Sequence, residues 1–244
     1  VLSTGVFKGM TGKKAWETFM NSLSWEEMVS LPMNGGWSTV GIDSIGLKTS
    51  VDNDSPEDFH STHLWCDSPT ISATMNLDLA KEEGIIVANL GLLDLGENLT
   101  GWYGTGMDTH RTPFSGRNNQ YYSQDGLHAG YFASAVVSGA ESRGLICYPK
   151  HFALNDQETA RDGELNMSWT DEQAMREIYL KPFQMVMQEG NASGCMTSFA
   201  RIGSVASPDN YNLLTGLTRK QWGWEGYFVT DGYEGASKSS PMDL

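Results

Sequence analysis

Between Asn76 and Asp231 the chain alternates four times between helical and strand-like patterning, and this alternation limits the folds open to it. Asn76 to about Leu93 carries apolar residues at helical spacing, and the short "TGWYGTGM" that follows is strand-like. "LHAGYFASAVVSGAESRG" is a second helix, ended by Gly144, where the left-handed conformation of a C-cap suits glycine. "LICYPKHF" is a strand. "SWTDEQAMREIYLKPFQMVMQEG" is a helix starting at Thr170, with Gln173 three residues on, the spacing of a capping box. "GCMTSF", "SPDNYNLLTGLTRKQWG" and "GYFVTD" complete the series as strand, helix and strand. Alternation of this kind predicts βαβ units with parallel pairing. The expected fold class is α/β, a (β/α) TIM-like barrel, irregular or incomplete towards its N-terminal side, with a doubly wound open sheet as the second architecture. No G-x-G-x-x-G or P-loop pattern follows a strand, which argues against nucleotide binding.

The balance of 30 acidic against 16 basic residues, a net charge of −14, argues against a broad basic face for a phosphate backbone. No nucleic-acid partner is expected. No apolar segment is long enough to cross a bilayer and no leader pattern stands near the start, so the sequence reads as soluble, without a membrane partner. It begins at Val1 rather than at a methionine and reads as an excerpt. The compartment stays open, with the cytoplasm ahead. Cys66, Cys147 and Cys195 have no metal-site or C-x-x-C spacing and are expected as free, buried thiols. No metal and no cofactor is implied.

In a (β/α) barrel the chemistry sits where strands end and βα loops begin. After "GWYGTGM" come Asp108, His110, Arg111 and, in the loop, Arg117. "ICYP" ends in Lys150 and His151, "GCMTSF" is followed by Arg201, and "GYFVT" ends in Asp231, next to Gly232. A lone strand-end aspartate usually caps a turn, yet four strands here hand ionisable groups to one rim. A carboxylate facing Arg117, Lys150 and His151 is expected to be held ionised, and so to be able to act as a nucleophile. The same cations offer donors to a polyol, and Trp102, Trp222 or Trp224 could stack on a sugar, although tryptophans are more often core. Other readings stay open: Lys150 as a Schiff-base lysine, His151 as a metal ligand, Arg117 as the partner of a loop carboxylate.

The motifs "NGGWSTVGIDSIGL", "HRTPFSGRNNQYYSQD", "YPKHFALNDQET" and "CMTSFARIGSVASPDNYNLLTGLTRKQWGWEGYFVTD" together resemble the barrel domain of glycoside hydrolase family 3, from about Leu23 to Asp231. The resemblance implies a lead-in segment over residues 1–22 and a barrel catalytic domain over 23–244. It also implies a retaining exo-β-glycosidase, foremost a β-glucosidase releasing terminal β-D-glucosyl residues through a covalent ester on Asp231. Asp54, Arg117, Lys150, His151 and Met196 match the family's sugar-binding positions. Retaining glycosidases need a second carboxyl about 5 Å from the nucleophile. In most of the family it comes from an α/β sandwich domain, absent from this chain and a partner it would need. The His-Asp pair of the N-acetylglucosaminidase branch is missing from "KHFALNDQETARD", and the motif wording also resembles members with permuted domain order. This sequence departs from the family's pattern at Ser55 and Asp58, which replace glycines near Asp54, at Gly232, which replaces a tryptophan, and at Phe199, which replaces a tyrosine. β-Xylosidase or arabinosidase activity, and a non-catalytic sugar-binding fragment, remain the alternatives.

Overall fold

A computed structural model describes residues 12–34, 37–54, 57–59, 63–94, 99–161 and 166–231. The chain divides between Asp52 and Asn53 into two compact units. In the first, α1 (Gly12–Met20) is followed by α2 (Trp25–Met33), which starts on a capping box: Glu27 N donates to Ser24 Oγ at 3.1 Å, and Ser24 N to Glu27 Oε2 at 2.8 Å. β1 (Ser38–Thr39) pairs antiparallel with the start of β2 (Ser50–Asp54), a strand that straddles the division.

The second unit carries the alternation. A hairpin of β3 (Asp58–Phe59) and β4 (His63–Leu64) leads into α3 (Ser68–Ala73) and α4 (Leu77–Asn89), capped by the side chains of Asp67 and Asn76. β5 (Leu99–Tyr103) precedes α5 (Gly126–Glu141), where Asp125 Oδ1 accepts from the amides of Leu127 and His128 at 2.8 and 3.0 Å. Gly144, at φ +93°, turns the chain into β6 (Ile146–Cys147). α4 and α5 pack almost backbone to backbone: a Cβ added at Gly84 would lie 2.0 Å from the Val136 carbonyl oxygen, and one at Gly139 2.2 Å from that of Lys81.

The helix expected from Thr170 is broken into pieces. After β7 (Met167–Ser168), α6 (Glu172–Ala174) is capped by Asp171, whose Oδ1 accepts from Ala174 N at 2.8 Å. The carboxylate displaces the neighbouring hydroxyl as acceptor, so the predicted Thr170–Gln173 box does not form, and Gln173 donates to Glu177 instead. A wide turn follows, Leu180 N reaching back to Met175 O at 2.8 Å, before α7 (Lys181–Gln188). Pro182, near the start of α7, has no N–H to return to the preceding turn.

β8 (Gly194–Met196) is followed by a hairpin of β9 (Arg201–Ile202) and β10 (Val205–Ala206), with β7 parallel to β9. A helix with i→i+5 turns, Asn212–Gln221, leads to β11 (Tyr227–Val229). β5 pairs parallel with β6, and β11 with β8. Backbone bonds from Met196 N to Pro149 O and from Phe152 N to Met196 O link β8 to the chain just past β6. The parallel pairing predicted from the alternation is present, and no ladder closes into a complete barrel among the described residues.

Side chains alternate along these strands. Trp102, Cys147, Cys195 and Phe228 join the core built with Phe132, Val136 and Phe183, whereas Tyr103, Tyr148, Met196 and Val229 cluster separately. Trp102, expected as a possible sugar platform, is therefore core; its register turns it towards the main core. Trp222 packs on the core, and Trp224, also buried, donates Nε1–H to Ala192 O at 2.7 Å. Tyr227 is 50% exposed. Cys147 and Cys195 are buried thiols and Cys66 is half-buried. Glu141 accepts from Cys147 N at 3.0 Å, Ser193 N at 2.9 Å and Ser193 Oγ at 2.8 Å, tying β6 and the residue before β8 to the end of α5. No helix among the described residues is long and apolar enough to cross a membrane.

Candidate active site

The last strand-like residues before each loop deliver polar groups to one place. Lys150 and His151 follow β6 by three and four residues and are almost fully buried. Asp231 follows β11 by two, its side chain 16% exposed. Lys150 pairs with Asp54, the last residue of β2. Asp231 Oδ2 lies 3.7 Å from His151 Nε2 and 3.6 Å from Arg161 Nη1.

Around His151 five side chains form a closed ring of hydrogen bonds. Arg117 Nη1 meets His151 Nε2 at 2.8 Å, and His151 Nδ1 meets the Tyr121 hydroxyl at 3.1 Å. Asn155 Nδ2 donates to that hydroxyl at 3.1 Å and to Glu158 Oε1 at 2.9 Å, and Arg117 Nε returns to Glu158 Oε2 at 2.9 Å. Arg161 Nε adds a further contact to the same Oε2 at 3.0 Å. A guanidinium only donates, so Nε2 of His151 accepts and Nδ1 carries the proton.

The electrostatics agree with a neutral ring. Burial, then the positive charges of Lys150, Arg117 and Arg161, push the His151 pKa well below its usual value, so the ring is neutral at physiological pH. Beneath it, Asp108 accepts from the backbone amides of His151 at 2.7 Å and Asn155 at 3.0 Å. Burial and the nearby Asp156 nevertheless hold the Asp108 carboxyl well above the usual carboxylate range. Asp156, bonded by Thr109 Oγ1 at 3.2 Å, is raised to about 6, chiefly by burial.

Asp231 differs from the expectation that its neighbours would lower its pKa. Burial outweighs the attraction of Arg161, Lys150 and Arg117, and the pKa rises to about 6. His151, being neutral, contributes no charge. The group is still roughly nine-tenths ionised at pH 7. Its Oδ2 and the Nη1 of Arg161 are both buried without a hydrogen-bond partner among the described residues.

Of the residues singled out in the sequence, Asp54, Arg117, Lys150, His151 and Asp231 are brought together, with Asp108 as a buried support. Met196 sits in the apolar cluster with Tyr103, Tyr148 and Val229. His110 turns to the Tyr121 carbonyl at 2.5 Å, Arg111 lies over the Tyr179 ring at 6.0 Å, and Arg201 Nη1 donates to Ser204 O within its own hairpin. Phe199 carries the guanidinium of Arg161 over its ring at 4.7 Å. Ser55 and Gly232 lie outside the described residues. Sequence reasoning missed Tyr121, Asn155, Glu158 and Arg161; the one signal for the last three is their spacing of three in "NDQETAR".

Comparison with known proteins adds to this geometry. The model described as "Glycosyl hydrolase family 3 N terminal domain" matches residues 61–240. Beta-glucosidase A of Butyrivibrio fibrisolvens is 33% identical over 235 residues, covering 90% of this chain and 28% of its own length. A beta-glucosidase of Ruminococcus albus is 36% identical over 161 residues, 66% of this chain and 16% of its own. Among solved structures, the beta-glucosidase of Kluyveromyces marxianus in complex with glucose aligns with a TM-score of 0.83 at 26% identity, over 91% of this chain and 27% of that one. The GH3 beta-glucosidase of Bifidobacterium adolescentis aligns at 0.82 and 29% identity, over 90% and 32%. The chain thus spans between 16% and 32% of the length of these relatives. Its fold is shared with such neighbours: α/β and TIM-barrel-like, in irregular or incomplete form.

Proposed function

The chain belongs to glycosyl hydrolase family 3, and from that premise we propose that it is the nucleophile-bearing, sugar-binding part of a retaining exo-β-glycosidase, foremost a β-glucosidase. The observation that carries this reading is the Oδ2 of Asp231, buried and mostly ionised at neutral pH, beside the Nη1 of Arg161, both without a hydrogen-bond partner among the described residues. A carboxylate so placed, with cations to orient a polyol around it, suits attack on an anomeric carbon. Three cations, Arg117, Lys150 and Arg161, face three carboxylates, Asp54, Glu158 and Asp231. That balance favours an uncharged sugar.

In the first step the Asp231 carboxylate bonds to the anomeric carbon while the glycosidic C–O bond breaks, and the departing oxygen takes a proton from an acid/base carboxyl. Water, deprotonated by that same group, then cleaves the ester and frees the sugar. Glu158 accepts from two guanidiniums and Asp54 from Lys150, so both serve as acceptors to fixed cations, the opposite of a proton donor's role. This supports an acid/base supplied from outside the 244 residues, from a sandwich domain of the whole enzyme.

The test is a mechanism-based fluoro-glucoside applied to the whole enzyme. Label on Asp231, and loss of turnover in Asp231→Ala, are expected. Label on another residue, or full turnover in the variant, overturns the reading. Hydrolysis by this chain alone should be absent and should return when the acid/base domain is joined; sugar binding without hydrolysis in the joined form would favour a non-catalytic module.

A further inference from the structure

We propose that Glu158 is a positioning residue that aims both arginines of the site, Arg117 at His151 and Arg161 at Asp231. Its Oε2 takes the Nε–H of each guanidinium, at 2.9 and 3.0 Å, and this leaves their Nη atoms directed outward, one onto His151 Nε2 at 2.8 Å and one 3.6 Å from Asp231 Oδ2. A guanidinium is planar, so fixing Nε and one Nη fixes the rest of the fork. Glu158 is itself held. Its amide donates to Ser115 O at 3.1 Å, its Oε1 accepts from Asn155 at 2.9 Å, and a Cβ added at Gly116, φ +96°, would lie 2.8 Å from its Cγ. The loop bearing Arg117 therefore rests on the side chain that orients Arg117. The Phe199 ring lies under the Arg161 guanidinium, at 4.7 Å.

The carboxylate thus stands behind the reacting centre and acts through its neighbours. Removing it frees two guanidiniums to rotate about their side chains, and a misplacement of about 1 Å at a reacting centre can slow turnover about a hundredfold. The inference rests on the reading of Asp231 as the nucleophile.

The experiment uses the full-length enzyme and three readouts. In Glu158→Ala, labelling of Asp231 by the fluoro-sugar is expected to slow about a hundredfold, and formate, a carboxylate small enough for the space left, is expected to restore part of the rate. The slowly exchanging Nε–H resonances of Arg117 and Arg161 are expected to be lost in the variant and to return with formate. In a background already carrying Arg117→Lys and Arg161→Lys, Glu158→Ala is expected to slow labelling less than threefold further, because its route of action is gone. Parental labelling in Glu158→Ala, an undiminished loss in the double-lysine background, or unchanged arginine resonances overturns the proposal. If Glu158→Ala does not fold, Glu158→Gln carries the test: its single oxygen cannot serve both the arginines and Asn155, so labelling about tenfold slower is expected, and the parental rate overturns the proposal. A parent enzyme that is not labelled at Asp231 brings down the nucleophile reading itself, and this inference with it.

Discussion

The Nη1 of Arg161 lies 3.6 Å from the Oδ2 of Asp231, and each atom is buried without a hydrogen-bond partner among the described residues. They are close enough to attract strongly and too far apart to satisfy each other. Arg161 is the largest of the influences that lower the Asp231 pKa, against a burial effect that leaves it at about 6. Arg161→Ala is therefore expected to raise that pKa by about one unit. The acidic limb of the pH–rate profile, and of Asp231 labelling by a fluoro-sugar, should move to higher pH. A limb that stays in place belongs to some other group.

The same burial predicts a conflict between stability and chemistry. In the unfolded chain Asp231 ionises near its ordinary value, and in the folded chain near 6, so the folded state holds its proton more tightly. Above pH 6 the ionised carboxylate opposes folding by up to about 3 kcal/mol; the effect fades as pH falls from 6 and vanishes below about pH 3, where both states are protonated. Asp231→Asn is expected to be inactive yet more resistant to urea at pH 7.5, with the advantage gone at about pH 2.5. Equal stability of parent and variant at both pH values would contradict the raised pKa.

The near contact of α4 and α5 gives a prediction about the scaffold. Gly84→Ala and Gly139→Ala each set a methyl against a helix backbone carbonyl, which cannot move aside without parting the helices. Each should lose about 2–3 kcal/mol in urea unfolding. Gly216→Ala is the control. Its added Cβ would meet nothing closer than 3.8 Å, so it should leave stability unchanged or raise it by about 0.5–1 kcal/mol through lower backbone entropy in the unfolded chain. A loss at Gly216 equal to that at Gly139 would show that packing between these helices is not the cause.

The alternation of elements was legible because each helix exposes one face at a period of 3.6 and each strand is bounded by glycine or by a capping side chain. Position at or just past a strand end brought forward Asp108, Arg117, Lys150, His151 and Asp231 together with His110, Arg111 and Arg201, and of these only the first five meet at the site. Strand ends locate a rim, but the direction of a side chain depends on register, which also consigns Trp102 to the core and Tyr103 to the opposite cluster. The sign of the Asp231 shift was not legible either, since it is a contest between burial and three cations whose distances no sequence gives. Glu158 and Arg161 lie in a loop without apolar periodicity, and their importance arises from what they touch.

At the end of the strands away from the candidate site, one carboxylate, Glu141, clasps Cys147 of β6 and Ser193, the residue before β8, through three hydrogen bonds. Strands braced at their roots do not rely on the loops beyond their tips for alignment. Exchange of the loops beyond the strand tips should therefore leave this framework standing for as long as that clasp is kept.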